Sequence, residues 1–310
     1  MKRAAYFPFK QRGWQLAMGL HPLPVGNWID IDSHFTQQLA RKEQLFAQRH
    51  DDIWGSLPES HAAQQETLDL LLDHLQTHFP EYYQRQGNLV TNQLTQQRWH
   101  LDEFAENPLD LAGRLVQEDL CIMQPGPEGY FLAAASLCFP FKWKLLEKLG
   151  LPMAKIHKPV PGYKEKLQNP VNGLFERLKP EYPSYRFNWG VVDTPELFLA
   201  PEGDPHGHGT PEDDAPQPSP KSHADYYAIP TAEELWLRVE RQTLRRLKKT
   251  GAILFTIHTY LHSISDLVRQ PLVIGHLMEA LDQIPKDMQE YKNLPPLRAA
   301  LLAYLSRSRD

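Results

Sequence analysis

The stretch Leu235-Trp236-Leu237-Arg238-Val239-Glu240-Arg241-Gln242-Thr243-Leu244 alternates apolar and polar side chains, the period of a half-buried β-strand. A turn, Lys248-Lys249-Thr250-Gly251, follows it. Then comes Ala252-Ile253-Leu254-Phe255-Thr256-Ile257-His258-Thr259-Tyr260, whose β-branched and aromatic content reads as a central strand. Two such runs around a short turn predict an antiparallel hairpin. Alternation then puts Arg238, Glu240 and Gln242 on one face and Val239, Arg241 and Thr243 on the other.

Working outward, residues 119–124 are a short apolar run, Pro125-Gly126-Pro127-Glu128-Gly129 is a strong turn signal, and residues 130–139 are apolar again up to Pro140. This reads as a second hairpin. Residues 143–149 predict a short helix closed by Gly150, residues 164–178 a second helical segment, and residues 184–192 a strand. Residues 1–110 read as mostly helical and polar. Helical spacing runs from Phe35 through Leu39, Lys42, Leu45 and Phe46, and again over 66–78 up to Pro80. Residues 200–224 are rich in proline, glycine, acidic residues and histidine and read as a solvated insertion. Residues 272–306 return to helices broken at Pro285 and Pro295-Pro296. Helices, then about five antiparallel strands with short helices between them, then helices, make an α+β pattern. It divides into a helical N-terminal region (1–110), an α+β core (111–270, with the insertion 200–224) and C-terminal helices (271–310).

A net charge of −5 argues against a nucleic-acid binder, whose footprint is a basic surface. No stretch reaches the ~20 apolar residues that span a bilayer. The N-terminal residues Met1 to Pro8 do not form a signal peptide, because Pro8, Lys10, Gln11 and Arg12 cut off any apolar core; a cytoplasmic protein is expected. The two cysteines, Cys121 and Cys138, lie in apolar runs and read as buried thiols. Two cysteines cannot build a four-cysteine iron–sulfur cluster or zinc site. Nucleotide-binding glycine motifs, a serine elbow and His-Glu-x-x-His are missing. A Cys-x-x-Cys-His haem attachment is missing too.

Three places could carry chemistry. In Ile156-His157-Lys158-Pro159-Val160-Pro161-Gly162-Tyr163, two prolines and a glycine fix the backbone around one histidine. That is a good mount for a metal ligand, although a histidine in such a loop is more often structural. Arg238 and Glu240 are either an inward pair facing a polar cavity or a solvent-facing ion pair. Asn188, within Arg186-Phe187-Asn188-Trp189-Gly190, either presents an amide into a pocket or lies on the wet side of a sheet. His206, His208 and His223 have metal-like spacing, but no apolar shell surrounds them.

Several of these runs together resemble the haem-dependent oxidative N-demethylase family. They are Val116-Gln117-Glu118-Asp119-Leu120-Cys121; Cys138-Phe139-Pro140 with Trp143; Glu147-Lys148-Leu149-Gly150; Ile156-His157-x-Pro159-Val160-Pro161; Asn188-Trp189; and the run from Leu237 to Leu247. The resemblance implies a PAS-like antiparallel sheet with flanking helices, its cavity holding a non-covalent haem b. It implies NADPH-driven, O2-dependent oxidation of a small secondary amine such as dimethylamine to a primary amine and formaldehyde. Electrons would come from separate flavin and iron–sulfur components, with no flavin, nicotinamide or iron–sulfur cluster on this chain. His157 is carried over as the haem ligand, with Trp189, Arg241 and His258 as further cofactor contacts. Arg238, Glu240, Asn188 and Tyr163 are expected around the reacting molecules. Family members often carry an arginine where this chain has His258, which makes His258 a second ligand candidate. The rival expectations are a haem-PAS gas sensor, a haem protein without turnover, and a haem-free interaction protein.

Overall fold

The computed structural model describes residue 14 and residues 16–201 and 234–307. The predicted hairpin is its centre. Strand β9 (Trp236–Arg246) pairs with β10 (Ile253–Ser263) along their whole lengths. The order of the antiparallel main sheet is β1 (His21–Pro22), β8 (Ser184–Val192), β9, β10, β6 (Asp119–Gly126), β7 (Gly129–Ser136) and β2 (Trp54–Ser56). The expected strand at 184–192 and the hairpin from residue 119 are both there. The strand expected to reach Phe139 ends at Ser136.

Register fixes the faces, because residues opposite each other share a side of the sheet. Glu240 lies opposite both Asn188 and Thr259, and Gln242 opposite Ile257, which in turn faces Asp119. These mark the front face. Arg241 lies opposite His258, and Val239 opposite Trp189 and Tyr260; these mark the back.

The back face is covered twice. Helices α1 (Phe35–Gln48), α3 (His61–His78) and α4 (Pro108–Leu115) pack over Leu120, Ile122, Ala134 and Leu254. The short α2 (His50–Ile53) leads into β2. In α1 the buried positions Phe35, Leu39, Lys42, Leu45 and Phe46 recur at three and four residues, the stripe the sequence showed. At the other end, α7 (Ile264–Leu267), α8 (Pro271–Gln283), α9 (Lys286–Tyr291) and α10 (Pro295–Arg307) follow β10. They bury Trp189, Val191, Leu237, Val239 and Tyr260, and the breaks fall at Pro285 and Pro295 as expected. Each fully buried leucine in these layers contributes about 1.5–3 kcal/mol by leaving water.

The front face carries the segment between β7 and β8. Helix α5 (Met153–Ile156), a π-turn over Tyr163–Leu167 and α6 (Gln168–Arg177) pack against Cys121, Met123, Leu244, Ile253 and Ile257. The single helix expected over 164–178 is therefore split at Leu167. The helix expected over 143–149 is only a turn, with Lys148 and Leu149 N–H both bonding the Leu145 carbonyl. Gly150 does take the left-handed φ of +77° expected of a cap. A small second sheet of β3 (Tyr83–Gln86), β4 (Leu89–Asn92) and β5 (Arg98–His100) stands where helix was expected.

Helix α4 approaches β7 through Gly113, where a Cβ would lie 2.0 Å from Ser136 Oγ and 2.7 Å from its Cβ. No rotamer of so short a side chain escapes that. Gly113→Ala is expected to cost about 1–3 kcal/mol through overpacking. Chemical denaturation would read this as a lower midpoint at unchanged slope.

Candidate functional site

The front face near the β8–β9 junction gathers charge. Glu240 is buried, accepting from Asn188 Nδ2 at 3.3 Å and from Gln242 Nε2 at 3.1 Å. Arg238 Nε approaches its carboxylate at 3.5 Å. Both arginine and glutamate thus face inward, and the solvent-facing alternative is excluded. The Arg238 guanidinium is fully buried and committed elsewhere too. It donates to the carbonyls of Leu197 (3.0 Å) and Phe139 (2.6 Å), reaches Thr259 Oγ1 (3.3 Å), and lies over the Phe141 ring. With its donors so engaged, Arg238 holds the walls of the site together and shapes Glu240.

The same Phe139 is tied by its N–H to Asp119 Oδ2 (3.0 Å), whose other oxygen accepts the Cys138 N–H (2.8 Å). Both cysteines are buried and unpaired. Burial raises their thiol pKa values, that of Cys138 to about 12, so neither is a thiolate at neutral pH.

Lys292, which follows α9, comes to this site from the C-terminal helices. Its ammonium donates to Asn188 Oδ1 (3.2 Å) and to the Trp189 carbonyl (2.6 Å). Burial pulls its pKa down to about 8; Glu240 opposes the shift and Arg186 adds to it. Nothing in the local sequence marks this lysine, because its partners lie about a hundred residues earlier. Arg186 shares the face through its register with Gln242, and its buried Nε has no hydrogen-bond partner among the described residues.

His157 caps α5 beside this cluster. Its Nδ1 lies 3.0 Å from the Met153 carbonyl, which places the ring proton on Nδ1 and leaves the lone pair on Nε2. Burial lowers its pKa, partly offset by the Met153 bond, with Arg186 and Lys148 adding positive charge nearby. The neutral form is therefore the resting one. Tyr163 stacks on the imidazole, with centroids 4.7 Å apart and planes 13° apart. Gly162, at φ +73°, turns the chain so that this can happen. Tyr163 is 4% exposed, and its hydroxyl has no hydrogen-bond partner among the described residues; burial raises its pKa to about 12.

Trp189, Arg241 and His258 are placed elsewhere. All three point to the back face, since strand alternation turns them away from Asn188, Glu240 and Thr259. The Trp189 ring packs among the C-terminal helices. Arg241 donates to the carbonyls of Trp28 and Asn27. His258 is fully buried, with Nδ1 3.0 Å from Glu118 and Nε2 3.5 Å from Asp32. It stacks on Tyr260, whose hydroxyl donates to Asp30 at 2.7 Å. Burial disfavours its charge, but Glu118 and Asp32 more than offset that and raise its pKa to about 9. Both nitrogens of this imidazolium point at carboxylates, so it holds no metal in this state.

The histidines His206, His208 and His223 lie outside the described residues. Among the described residues no group of three or more His, Cys, Asp or Glu side chains forms a metal site. No helix among them is long and apolar enough to cross a membrane.

A neutral histidine thus stands beside a buried polar cluster on one face of an antiparallel sheet. Comparison with family models identifies the chain as a whole. The model described as haem-dependent oxidative N-demethylase, alpha subunit-like, matches residues 19–302, nearly the whole chain, and the protein belongs to that family.

Proposed function

We propose that the chain binds haem b against the front face of a PAS-like sheet, with His157 the residue that would hold its iron. In this reading it catalyses oxidative N-demethylation of a small secondary amine. The observation that carries this reading is the state of His157. An imidazole that is to hold haem iron would have to be neutral, with one ring nitrogen free for the metal. The Met153 carbonyl, 3.0 Å from Nδ1, favours this tautomer. The unpartnered Tyr163 hydroxyl and Arg186 Nε nearby suit a site that receives a polar group. The residues thus fit the cofactor.

Bound haem would supply dioxygen activation and the two-electron oxidation of an N-methyl carbon. The chain's own residues do the rest. Tyr163, kept protonated by burial, offers a hydrogen bond beside His157. Glu240, oriented by Asn188, Gln242 and Arg238, offers a carboxylate that can accept an amine N–H. The Phe139–Phe141 segment and Leu197 pack on the Arg238 guanidinium that faces that carboxylate. Electrons come from a separate flavin and iron–sulfur partner, since two buried thiols build no cluster. A cytoplasmic location belongs to the same proposal.

The test is formaldehyde release by the haem-loaded protein with dimethylamine, O2, NADPH and a flavin/iron–sulfur reductase. Turnover is expected. Bound haem that oxidises no small methylamine would sink the enzymatic reading. Reversible CO or O2 binding without consumption would point to a sensor instead.

A further inference from the structure

We propose that Arg186 and Lys292 form a buried carboxylate-binding site on the front face, beside His157. The charge inventory leads there. Three cations, Arg186, Arg238 and Lys292, act on one carboxylate, Glu240. Asp119 also acts on Arg238, but it serves Lys42 at 3.7 Å as well. Arg186, Arg238 and Lys292 thus meet Glu240 and one carboxylate, Asp119, that is shared with Lys42, an excess of positive charge in an interior where unpaired charge is costly.

The geometry shows which cations are available. Arg238 is used up on carbonyls and Thr259. Lys292 is held at the rim by Asn188 Oδ1 and the Trp189 carbonyl, neither of which neutralises it. Arg186 has a buried Nε without a hydrogen-bond partner among the described residues, two strand positions from Asn188. A guanidinium with an open N–H and an ammonium close enough to feel it make a fork that a carboxylate fills. A cationic amine is a poor occupant, since it would add a fourth positive charge.

Two sources can supply that carboxylate. One is a haem propionate, which rests on the haem reading above. The other is the substrate, which would then be an N-methyl amine that itself carries a carboxylate, N-methylglycine being the simplest. Burying either one would neutralise charge on Arg186 and Lys292 that carbonyl and amide oxygens leave in place.

Apoprotein is titrated with protohaem and with protohaem dimethyl ester, whose propionates are blocked. The loaded protein is titrated with N-methylglycine and with dimethylamine, followed by the Soret band and by the heat of binding. Arg186→Leu, Lys292→Met and the charge-keeping Arg186→Lys are run alongside. If the propionate is the occupant, wild type prefers protohaem over the ester by about tenfold. If the substrate is, the two porphyrins bind alike and N-methylglycine outbinds dimethylamine by about the same factor. Either preference is expected to vanish in Arg186→Leu and Lys292→Met and to survive in Arg186→Lys. Neither preference in wild type, or a preference the variants keep, overturns the proposal. A protein that takes up no porphyrin defeats the haem reading instead. The heat of N-methylglycine binding then decides this site alone, and its absence counts against it.

Discussion

His258→Leu is expected to destabilise the fold by about 3–5 kcal/mol, the cost of removing one partner from a buried ion pair. Glu118 is fully buried, and His258 is the cation against it, while its other oxygen has no hydrogen-bond partner among the described residues. Leucine would leave that carboxylate stranded beneath the N-terminal helices.

The pH dependence carries a distinct sign. The folded pKa of His258, about 9, lies above its ordinary 6.5. Its contribution is therefore fully present below pH 6.5 and is lost as pH rises through 9, on the order of 3 kcal/mol in all. Asp32, held at about 2 as His258 and Gln117 outweigh its desolvation, loses its contribution only in strong acid. Lys292, depressed to about 8, acts with the opposite sign to His258 between pH 8 and its ordinary value. The measurement is therefore the difference between wild type and His258→Leu across pH 6 to 10, which should shrink as pH rises. A pH-independent difference would mean that His258 contributes by packing and not by charge.

His157→Ala is expected to lose haem affinity by several orders of magnitude, and with it formaldehyde production. If His157 holds the haem iron as proposed, losing that ligand is the largest single effect open to one substitution in this site. The variant removes little packing, because His157 is only half-buried and its main contacts are Tyr163 and the Met153 carbonyl. Its thermal stability as apoprotein should therefore stay close to wild type, which separates ligation from folding. Imidazole added from solution should restore part of the haem spectrum by filling the vacated space. In His258→Leu the haem spectrum is expected to persist, since that ring lies on the other face. A His157→Ala protein with unchanged haem affinity would move the ligand elsewhere.

The fold was legible where periodicity was strong. The alternation from Leu235 to Leu244 placed Arg238 and Glu240 together on one face, and β9 keeps that pattern through eleven residues. What alternation alone could not say is which face meets which layer. Arg241 read as a cofactor contact because it stands in the same motif run as Glu240, and His258 because family members often carry an arginine at that position. Yet Arg241 is a single step from Glu240 along the strand, which turns it to the other face, and register then pairs it with His258 on the back.

The small sheet of β3, β4 and β5 was missed because its strands are three or four residues long and polar on one side, too short for a period to show. Helix propensity at 143–149 lost to Leu145, which is pulled into the front-face core after one turn. Lys292 was invisible for a different reason. A lysine after a helix reads as solvated, and only the C-terminal helices folding back on the sheet bring it to Asn188. The buried, unpartnered Tyr163 hydroxyl likewise needs the tertiary structure to be seen, although the loop that mounts it announced itself by Pro159, Pro161 and Gly162.

The most direct measurement of the central claim is the absorption spectrum of the wild-type protein purified from haem-replete cells. A Soret band corresponding to one haem per chain, typical of histidine ligation, is the predicted result. A colourless protein that also fails to take up added haem would contradict it.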